Sequence, residues 1–190
     1  MPATNRFIIS VLLPDRVGAL RDVTAAIVKL GGNIGGIRQN IVEGFFTLVF
    51  SAEHPAPVSA DTIRAELVAR LEAAAAVHVR LCEGRAVAPR LAGGCYVAMT
   101  RGVDRPGTIH AISSFFVEYG INIEDWQVES DGVDVVYTAQ IVIPAAADFR
   151  IIQHAFRAQM QARGLTGTIC HENIIRATNE IGPIKELLRR

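Results

Sequence analysis

The sequence predicts an α+β protein built from two βαββαβ units in tandem. An Asp-Arg-x-Gly motif at residues 15–18 returns at 104–107, and a Gly-x-Asn-Ile motif at 31–34 returns at 120–123, both 89 residues later. The apolar residues of the intervening helix recur at the same shift and fit one helical face. They are Leu20, Val23, Ile27 and Leu30, matched by Ile109, Ile112, Phe116 and Tyr119. Two motifs and a stripe in one register indicate a gene-duplicated pair of domains.

The elements of the first unit follow from its apolar runs and turn residues. The Asp-Arg-Val-Gly turn opens a helix, and Gly31-Gly32 ends it, because glycine favours the left-handed geometry of a helix stop. Glu43-Gly44 predicts a hairpin turn, and His54-Pro55-Ala56-Pro57 ends the strand that follows. The predicted strands are 6–13, 33–42, 45–52 and 77–83, and the predicted helices reach about residue 30 and cover about 59–75.

The second unit repeats this order, with Asp131-Gly132 as its hairpin turn. Its predicted strands lie near 95–101, 122–130, 133–143 and 166–172, and its helices near 106–119 and 148–163. Glycine and proline mark a connection between the two units. The predicted organisation is a first domain at 6–83, a linker at 84–94, a second domain at 95–173 and a C-terminal tail at 174–190.

The βαββαβ order is the ferredoxin-like pattern, a four-stranded antiparallel sheet with two helices on one face. Its other face has no helices of its own. Residues 45–50 (Phe-Phe-Thr-Leu-Val-Phe) are apolar at both strand parities, which predicts burial on both faces. We therefore expect a neighbour on the open face or at the sheet edge. The other domain is the first candidate, and a second chain in a homodimer is the next.

Composition excludes several classes of protein. Half of the 190 residues are hydrophobic, which is incompatible with a disordered chain. Nineteen Lys and Arg balance nineteen Asp and Glu, so no basic excess favours direct binding of nucleic acid. No apolar run suits a membrane span, and Cys82, Cys95 and Cys170 lack the spacing of disulfide or zinc frameworks. The expected location is the cytoplasm, with reduced thiols.

The two Asp-x-x-Gly turns are the strongest candidates for a ligand site. Asp15 and Asp104 precede helices, where aspartate commonly serves as an N-cap, and this plainer alternative stays open. Gly18 and Gly107 favour a second interpretation, because they let a ligand approach the unpaired amides and the positive end of the helix dipole. A carboxylate suits that position, and the aspartate could receive an ammonium group. An α-amino acid carries both charges.

Asn33 and Asn122 begin the second strand of each unit, and their amides offer donors and an acceptor. A turn-forming role is the alternative, because Gly-x-Asn favours turns. Within one unit, the asparagine and the Asp-x-x-Gly turn lie at opposite ends of a helix, at least about 15 Å apart. A site that uses both therefore needs two domains, so the sequence predicts a site at an interface.

At these residues the sequence resembles tandem ACT domains over 6–83 and 95–173, and such a free-standing pair is similar to the glycine cleavage system transcriptional repressor group. The resemblance implies an amino acid or other small metabolite bound at domain interfaces, and regulation of an associated protein. Pro106 departs from the first copy and removes an amide donor, which predicts unequal sites. By position, the ligand-binding residues are Asp15, Arg16, Val17, Gly18, Asn33 and Ile34 in the first half, and Asp104, Arg105, Gly107, Asn122 and Ile123 in the second.

Two other functions find little support. Residues 43–50 superficially resemble the aromatic RNA-binding strand of RRM domains, but Glu43 stands where a basic residue belongs and the second copy, 132–137, does not repeat the pattern. The five histidines are scattered, without a nucleophile or metal-ligand pattern, and no Walker-type loop is present. We therefore expect no catalytic residue, no metal and no cofactor.

Together these observations predict a non-enzymatic regulatory protein that binds a small amino acid and acts through a protein partner, either a regulator or an enzyme. Transcriptional control of glycine cleavage is one candidate role implied by the resemblance. The alternative is an assembly or dimerisation module whose ligand sites are vestigial.

Overall fold

The computed structural model describes residues 5–71, 75–82, 92–130 and 132–173. The chain divides into two compact units, Met1–Ala86 and Val87–Arg190. Each unit has the predicted βαββαβ order, which confirms the α+β fold class. The elements are β1 (Asn5–Pro14), α1 (Ala19–Lys29), β2 (Asn33–Val42), β3 (Phe45–His54), α2 (Ala60–Leu71), β4 (Ala76–Leu81), β5 (Gly93–Val103), α3 (Thr108–Glu118), β6 (Asn122–Ser130), β7 (Asp134–Pro144), α4 (Phe149–Gln161) and β8 (Thr166–His171).

Each unit forms one four-stranded antiparallel sheet. The strand order is β2-β3-β1-β4 in the first and β6-β7-β5-β8 in the second, so β2 and β6 are edge strands. The first hairpin pairs Ile41 with Phe46, and the second pairs Ser130 with Val135. The 89-residue shift therefore continues through both hairpins, and structurally equivalent residues of the two units can be read directly from it.

Both helices of the first unit lie on the same face of its sheet. Alternate residues of β1 and β3 join the apolar faces of α1 and α2 in one buried core, because successive strand residues point to opposite faces. The second unit builds an equivalent core with more aromatic rings. Members of the first core include Phe7, Ile9, Phe50, Ile27 and Leu67, and members of the second include Phe115, Phe116, Ile141 and Phe156.

Within the first unit, the helices cover only one face of residues 45–50, and the predicted neighbour on the other face stays a prediction. Phe46, Leu48 and Phe50 are buried under the helices, whereas Phe45 and Val49 are 46% and 49% exposed. The difference arises because both helices cover the same face, so the residues of opposite parity point away from the core. An apolar surface remains on the helix-free side of β3.

The predicted linker reached residue 94, but Gly93 and Gly94 belong to β5, where they pair with Pro144 and Ile143. A Cβ at Gly93 would collide with the Ile143 carbonyl oxygen, so close strand packing explains this glycine. Of the rest of the predicted linker, 84–92, only Ala92 is among the described residues. Asp131 of the second hairpin and the predicted tail, 174–190, lie outside them too.

The α1 helix ends at the predicted glycine stop. Gly31 adopts φ 70°, and the Gly32 N–H donates to the Ile27 carbonyl at 2.9 Å, a Schellman-type ending. His54 packs against this stop: its side chain is buried, and Nδ1 lies 3.3 Å from the Leu30 carbonyl oxygen. His54 is also the last residue of β3, two positions beyond the predicted end of that strand.

Candidate ligand-binding site

The helices α1 and α3 start without a side-chain cap. Their N-cap residues are Gly18, at φ 90° and ψ −3°, and Gly107, at φ 85° and ψ 2°. Both glycines lie in the left-handed region, which disfavours residues with a Cβ. The N-cap alternative for Asp15 and Asp104 is therefore wrong, because neither aspartate occupies the capping position.

The other two helices described above, α2 and α4, are capped in the usual way. In α2 the Thr62 N–H donates to Ser59 Oγ at 3.0 Å, and in α4 the Arg150 N–H donates to Asp148 Oδ1 at 2.8 Å. Among the described residues, the uncapped starts thus coincide with the two Asp-x-x-Gly turns. Their first-turn amides face no side-chain acceptor, which leaves the positive end of each helix dipole available to an anion.

Two arginines of the first turn form ion pairs with the same aspartate. Arg16 Nη2 lies 2.8 Å from Asp22 Oδ2, and Arg21 Nη2 lies 2.8 Å from Asp22 Oδ1. Hydrogen bonds from Arg21 and Arg16 hold the pKa of the Asp22 carboxyl below its ordinary value. A Cβ added at Gly18 would meet these guanidinium groups at 3.5–3.9 Å, so the arginines lie over the glycine.

Asp15, at the start of this turn, is anchored through its backbone. Its N–H donates to the Gly44 carbonyl at 2.8 Å, which ties the turn to the β2–β3 hairpin. Val17 at the tip is fully exposed. In the part of the chain that the structure describes, no side chain donates a hydrogen bond to the Asp15 carboxylate.

The second turn has different partners. The Tyr137 hydroxyl, from β7, donates to Asp104 Oδ1 at 2.6 Å. Burial, and next the hydrogen bond to Asp104, raise the pKa of Tyr137 to about 12. Arg105 is exposed, and no acidic side chain within residues 92–130 and 132–173 pairs with it. Nothing lies within 4 Å of the position that a Cβ at Gly107 would occupy.

The structure does not bring the predicted asparagines to these turns within one unit. Asn33 and Asn122 are exposed at the first positions of β2 and β6. The eleven residues of α1 separate Asn33 from the first turn, a rise of about 16 Å. Ile34 and Ile123 contribute apolar surface to the two cores.

Three residues that shape the turns were not singled out from the sequence. Arg21 and Asp22 follow Gly18 closely, and an acidic residue in the first turn of a helix is an available signal. Tyr137 is 33 residues from Asp104, so only the pairing of β5 with β7 brings them together. No local pattern in the sequence could have indicated that contact.

The described residues contain no group of three or more His, Cys, Asp or Glu side chains placed to hold a metal ion. Within the same residues, no helix combines the length and apolar character needed to cross a bilayer. The chemistry that the turns offer is charge recognition: a carboxylate at the guanidinium and amide groups, and an ammonium at the aspartate.

Comparison with known proteins identifies the fold. The family model of the ACT domain matches residues 7–69, which contain the first turn, Asn33 and Ile34. The matched segment lies within the first unit. The second unit repeats the ACT arrangement of strands and helices, so the chain is a tandem of ACT-type folds.

Two UPF0237 proteins, from Methanosarcina mazei and Methanosarcina acetivorans, are each 40% identical to this chain over 52 residues. The match covers 27% of this chain and 56% of each relative, so the chain spans just over half the length of these curated relatives.

Two crystal structures share the tandem fold of this chain. A protein of unknown function from Galdieria sulphuraria superposes with a TM-score of 0.75 at 20% identity, covering 88% of this chain and 98% of that one. A candidate glycine cleavage system transcriptional repressor superposes with a TM-score of 0.68 at 15% identity, covering 88% and 97%. At these identities the likeness establishes the fold.

Proposed function

We propose that this tandem ACT protein is a non-enzymatic regulator that binds a small amino acid and thereby alters its contact with a partner protein. Binding can shift a population of conformations only if the ligand prefers one of them. The ligand is bound at an Asp-x-x-Gly turn, with its carboxylate at the helix start and its ammonium beside the aspartate.

One observation carries this proposal: the contrast between capped and uncapped helices in one chain. Asp148 and Ser59 satisfy the starts of α4 and α2, whereas α1 and α3 begin at glycine. A side-chain cap typically stabilises a helix by about 1 kcal/mol. The first amides of α1 and α3, at Ala19 and Thr108, donate to the carbonyls of Arg16 and Arg105, but the next amides meet no side-chain acceptor. A bound carboxylate would take the place of the missing cap there.

We further propose that the site is completed by a second copy of the chain. An asparagine about 16 Å away along α1 cannot reach a ligand at the turn of its own domain. The edge strand β2 carries Asn33 and is exposed at every residue except Ile34, so it is available to another domain. Val17, fully exposed at the tip of the first turn, is also suited to an interface.

The alternative function is assembly without sensing. Phe45, Val49, Ile8 and Leu12 expose apolar surface on the helix-free side of the first sheet, which favours contact with another protein surface. In that case the turns would be remnants, and association would be independent of amino acids. Light scattering with and without amino acids separates the two functions, because only a sensor changes its assembly or its affinity for a partner.

Calorimetry against the twenty amino acids tests sensing directly, and glycine is the first to titrate because of the fold shared with a candidate repressor of glycine cleavage. Alanine at the glycine of an occupied turn, Gly18→Ala or Gly107→Ala, should weaken binding, because a methyl group blocks approach to the helix start. Gly31→Ala and Gly164→Ala are matched controls, since both glycines have a positive φ in open space. Silence of the wild type toward all twenty would refute the proposal.

Transcriptional control of glycine cleavage is the finer role to examine once binding is established. In such a role we expect the protein to affect expression through a partner, because the chain has no net positive charge that would favour binding to DNA. Deleting the gene and measuring transcripts of the glycine cleavage enzymes, with and without added glycine, tests it. Unchanged transcripts in both media would count against this role and leave amino-acid binding intact.

A further inference from the structure

We infer that the two turns are not equivalent, and that the second one, residues 104–107, receives the ligand carboxylate while the first is closed by its own ion pairs. The inference rests on the proposed function and specifies which turn performs it. It is carried by a difference between structurally equivalent positions of the two domains, together with the open space at the second glycine.

In the first turn, Arg16, which would bind the ligand carboxylate, already pairs with the carboxylate of Asp22. Arg16 is held by Asp22 at 2.8 Å, and the two side chains are only 31% and 18% exposed. Arg21 bonds the same carboxylate from the other side. An incoming carboxylate would have to displace Asp22 from two charge-assisted contacts, which are the stronger kind of hydrogen bond. The guanidinium groups of Arg16 and Arg21 also occupy the space over Gly18, so a ligand would have to move them to reach the helix start.

In the second turn that competitor is missing. The residue 89 positions after Asp22 is Ala111, and the residue equivalent to Arg21 is His110. Arg105 consequently keeps its guanidinium fork available within the described part of the chain. Such a fork can bind a carboxylate through two parallel hydrogen bonds. The space beside Gly107 is open, so a ligand can reach the helix start.

The remaining features of the second turn suit the same ligand. Tyr137 fixes Asp104 through one carboxylate oxygen, which leaves the other to accept an ammonium. Pro106 supplies no amide, so Arg105 becomes the principal donor to the carboxylate. The fixed φ of this proline and the anchored aspartate also reduce the ordering that binding requires.

Calorimetry with each of the twenty amino acids tests the inference on matched arginine variants. The wild type should bind one amino acid per chain. Arg105→Gln should weaken binding about tenfold or more, as expected for loss of a charged hydrogen-bond donor. Arg16→Gln, the equivalent change in the first turn, should alter affinity by less than about twofold. Two sites per chain in the wild type, or equal losses in both variants, would overturn the inference.

A reciprocal variant tests the mechanism of closure. Asp22→Ala frees Arg16 and should raise the number of bound amino acids from one to two per chain. Ala111→Asp should pair with Arg105 and abolish the second site. Because Ala111 is buried, circular dichroism must show that this variant folds. If it does not fold, Asp22→Ala alone tests whether the first turn is closed. Unchanged stoichiometry in Asp22→Ala refutes the closed first turn. A wild type that binds no amino acid refutes the proposed function and this inference together.

Discussion

Tyr137→Phe removes a hydroxyl group that has no equivalent in the first domain. Tyr137 pairs with Thr100 in β7–β5, and the equivalent pair in the first domain is Leu48 with Val11, so no hydroxyl exists there. Phenylalanine keeps the buried ring and removes the hydroxyl, which donates to Asp104 and also has a side-chain hydrogen bond with Thr108. A hydrogen bond to a charged group contributes about 1.5–3 kcal/mol. Because Asp104 is exposed and water can replace the hydroxyl, we expect a loss of about 1–2 kcal/mol at neutral pH.

The same hydroxyl should make stability fall at alkaline pH. The pKa of Tyr137 is raised from its ordinary value of 10.0 to about 12 in the folded protein. The unfolded chain therefore loses this proton first as the pH rises, and unfolding becomes easier between about pH 10 and 12. Two pKa units correspond to about 2.7 kcal/mol, present in full below pH 10 and lost by about pH 12. Tyr137→Phe should not show this part of the decline.

Urea unfolding at several pH values measures both effects, and Asp104→Asn completes a double-mutant cycle. We expect a coupling energy of about 1 kcal/mol or more between the two positions at neutral pH. Absorbance of tyrosinate follows the ionisation directly in the folded protein. A coupling energy near zero, together with an unchanged alkaline slope in Tyr137→Phe, would refute the role assigned to this contact.

Two further predictions concern the first domain. Gly32→Ala should destabilise it by about 1–3 kcal/mol, because a Cβ would lie 2.8 Å from His54 Nδ1, whereas Gly36→Ala, in open space, should cost under about 1 kcal/mol. Equal urea midpoints would show that His54 moves aside. The pKa of Asp22 is lower in the folded protein than in the unfolded chain. Its ion pairs therefore stabilise the fold at a pH above the pKa of the unfolded chain, and this stabilisation is lost as the pH falls through the pKa of the folded protein. Arg16→Gln should raise the Asp22 pKa measured by NMR, and no change would contradict the pairing.

The elements could be predicted well because their signals are local. The β2 and β6 strands, Asn33–Val42 and Asn122–Ser130, begin and end where turn residues indicate. Local signals are ambiguous where they have two causes. Glycines at 93 and 94 suggest a linker, yet close packing against β7 explains the first of them. Apolar residues at both parities of β3 suggest a sheet covered on two sides, although both helices lie on one.

The position of the two turns could be predicted from the sequence, but their electrostatics could not. Asp-x-x-Gly repeats placed both turns at helix starts, and the positive φ of Gly18 and Gly107 agrees with that placement. The aspartate was expected as a possible cap, whereas the glycine itself occupies the cap position. Which acid pairs with Arg16 was not visible, because several charged residues lie within reach of it in the sequence.

The sequence by itself determined the duplication, the order of strands and helices and the location of the two turns. These depend on periodicity and turn chemistry, which operate over a few residues. Only the tertiary structure decided that Asp22 pairs with Arg16, that Arg105 has no acidic partner among the described residues and that Tyr137 donates to Asp104. Charged and hydroxyl groups pair with the groups that lie near them in the folded chain. That proximity is set by helix rotation and strand register, and residue spacing alone does not reveal it.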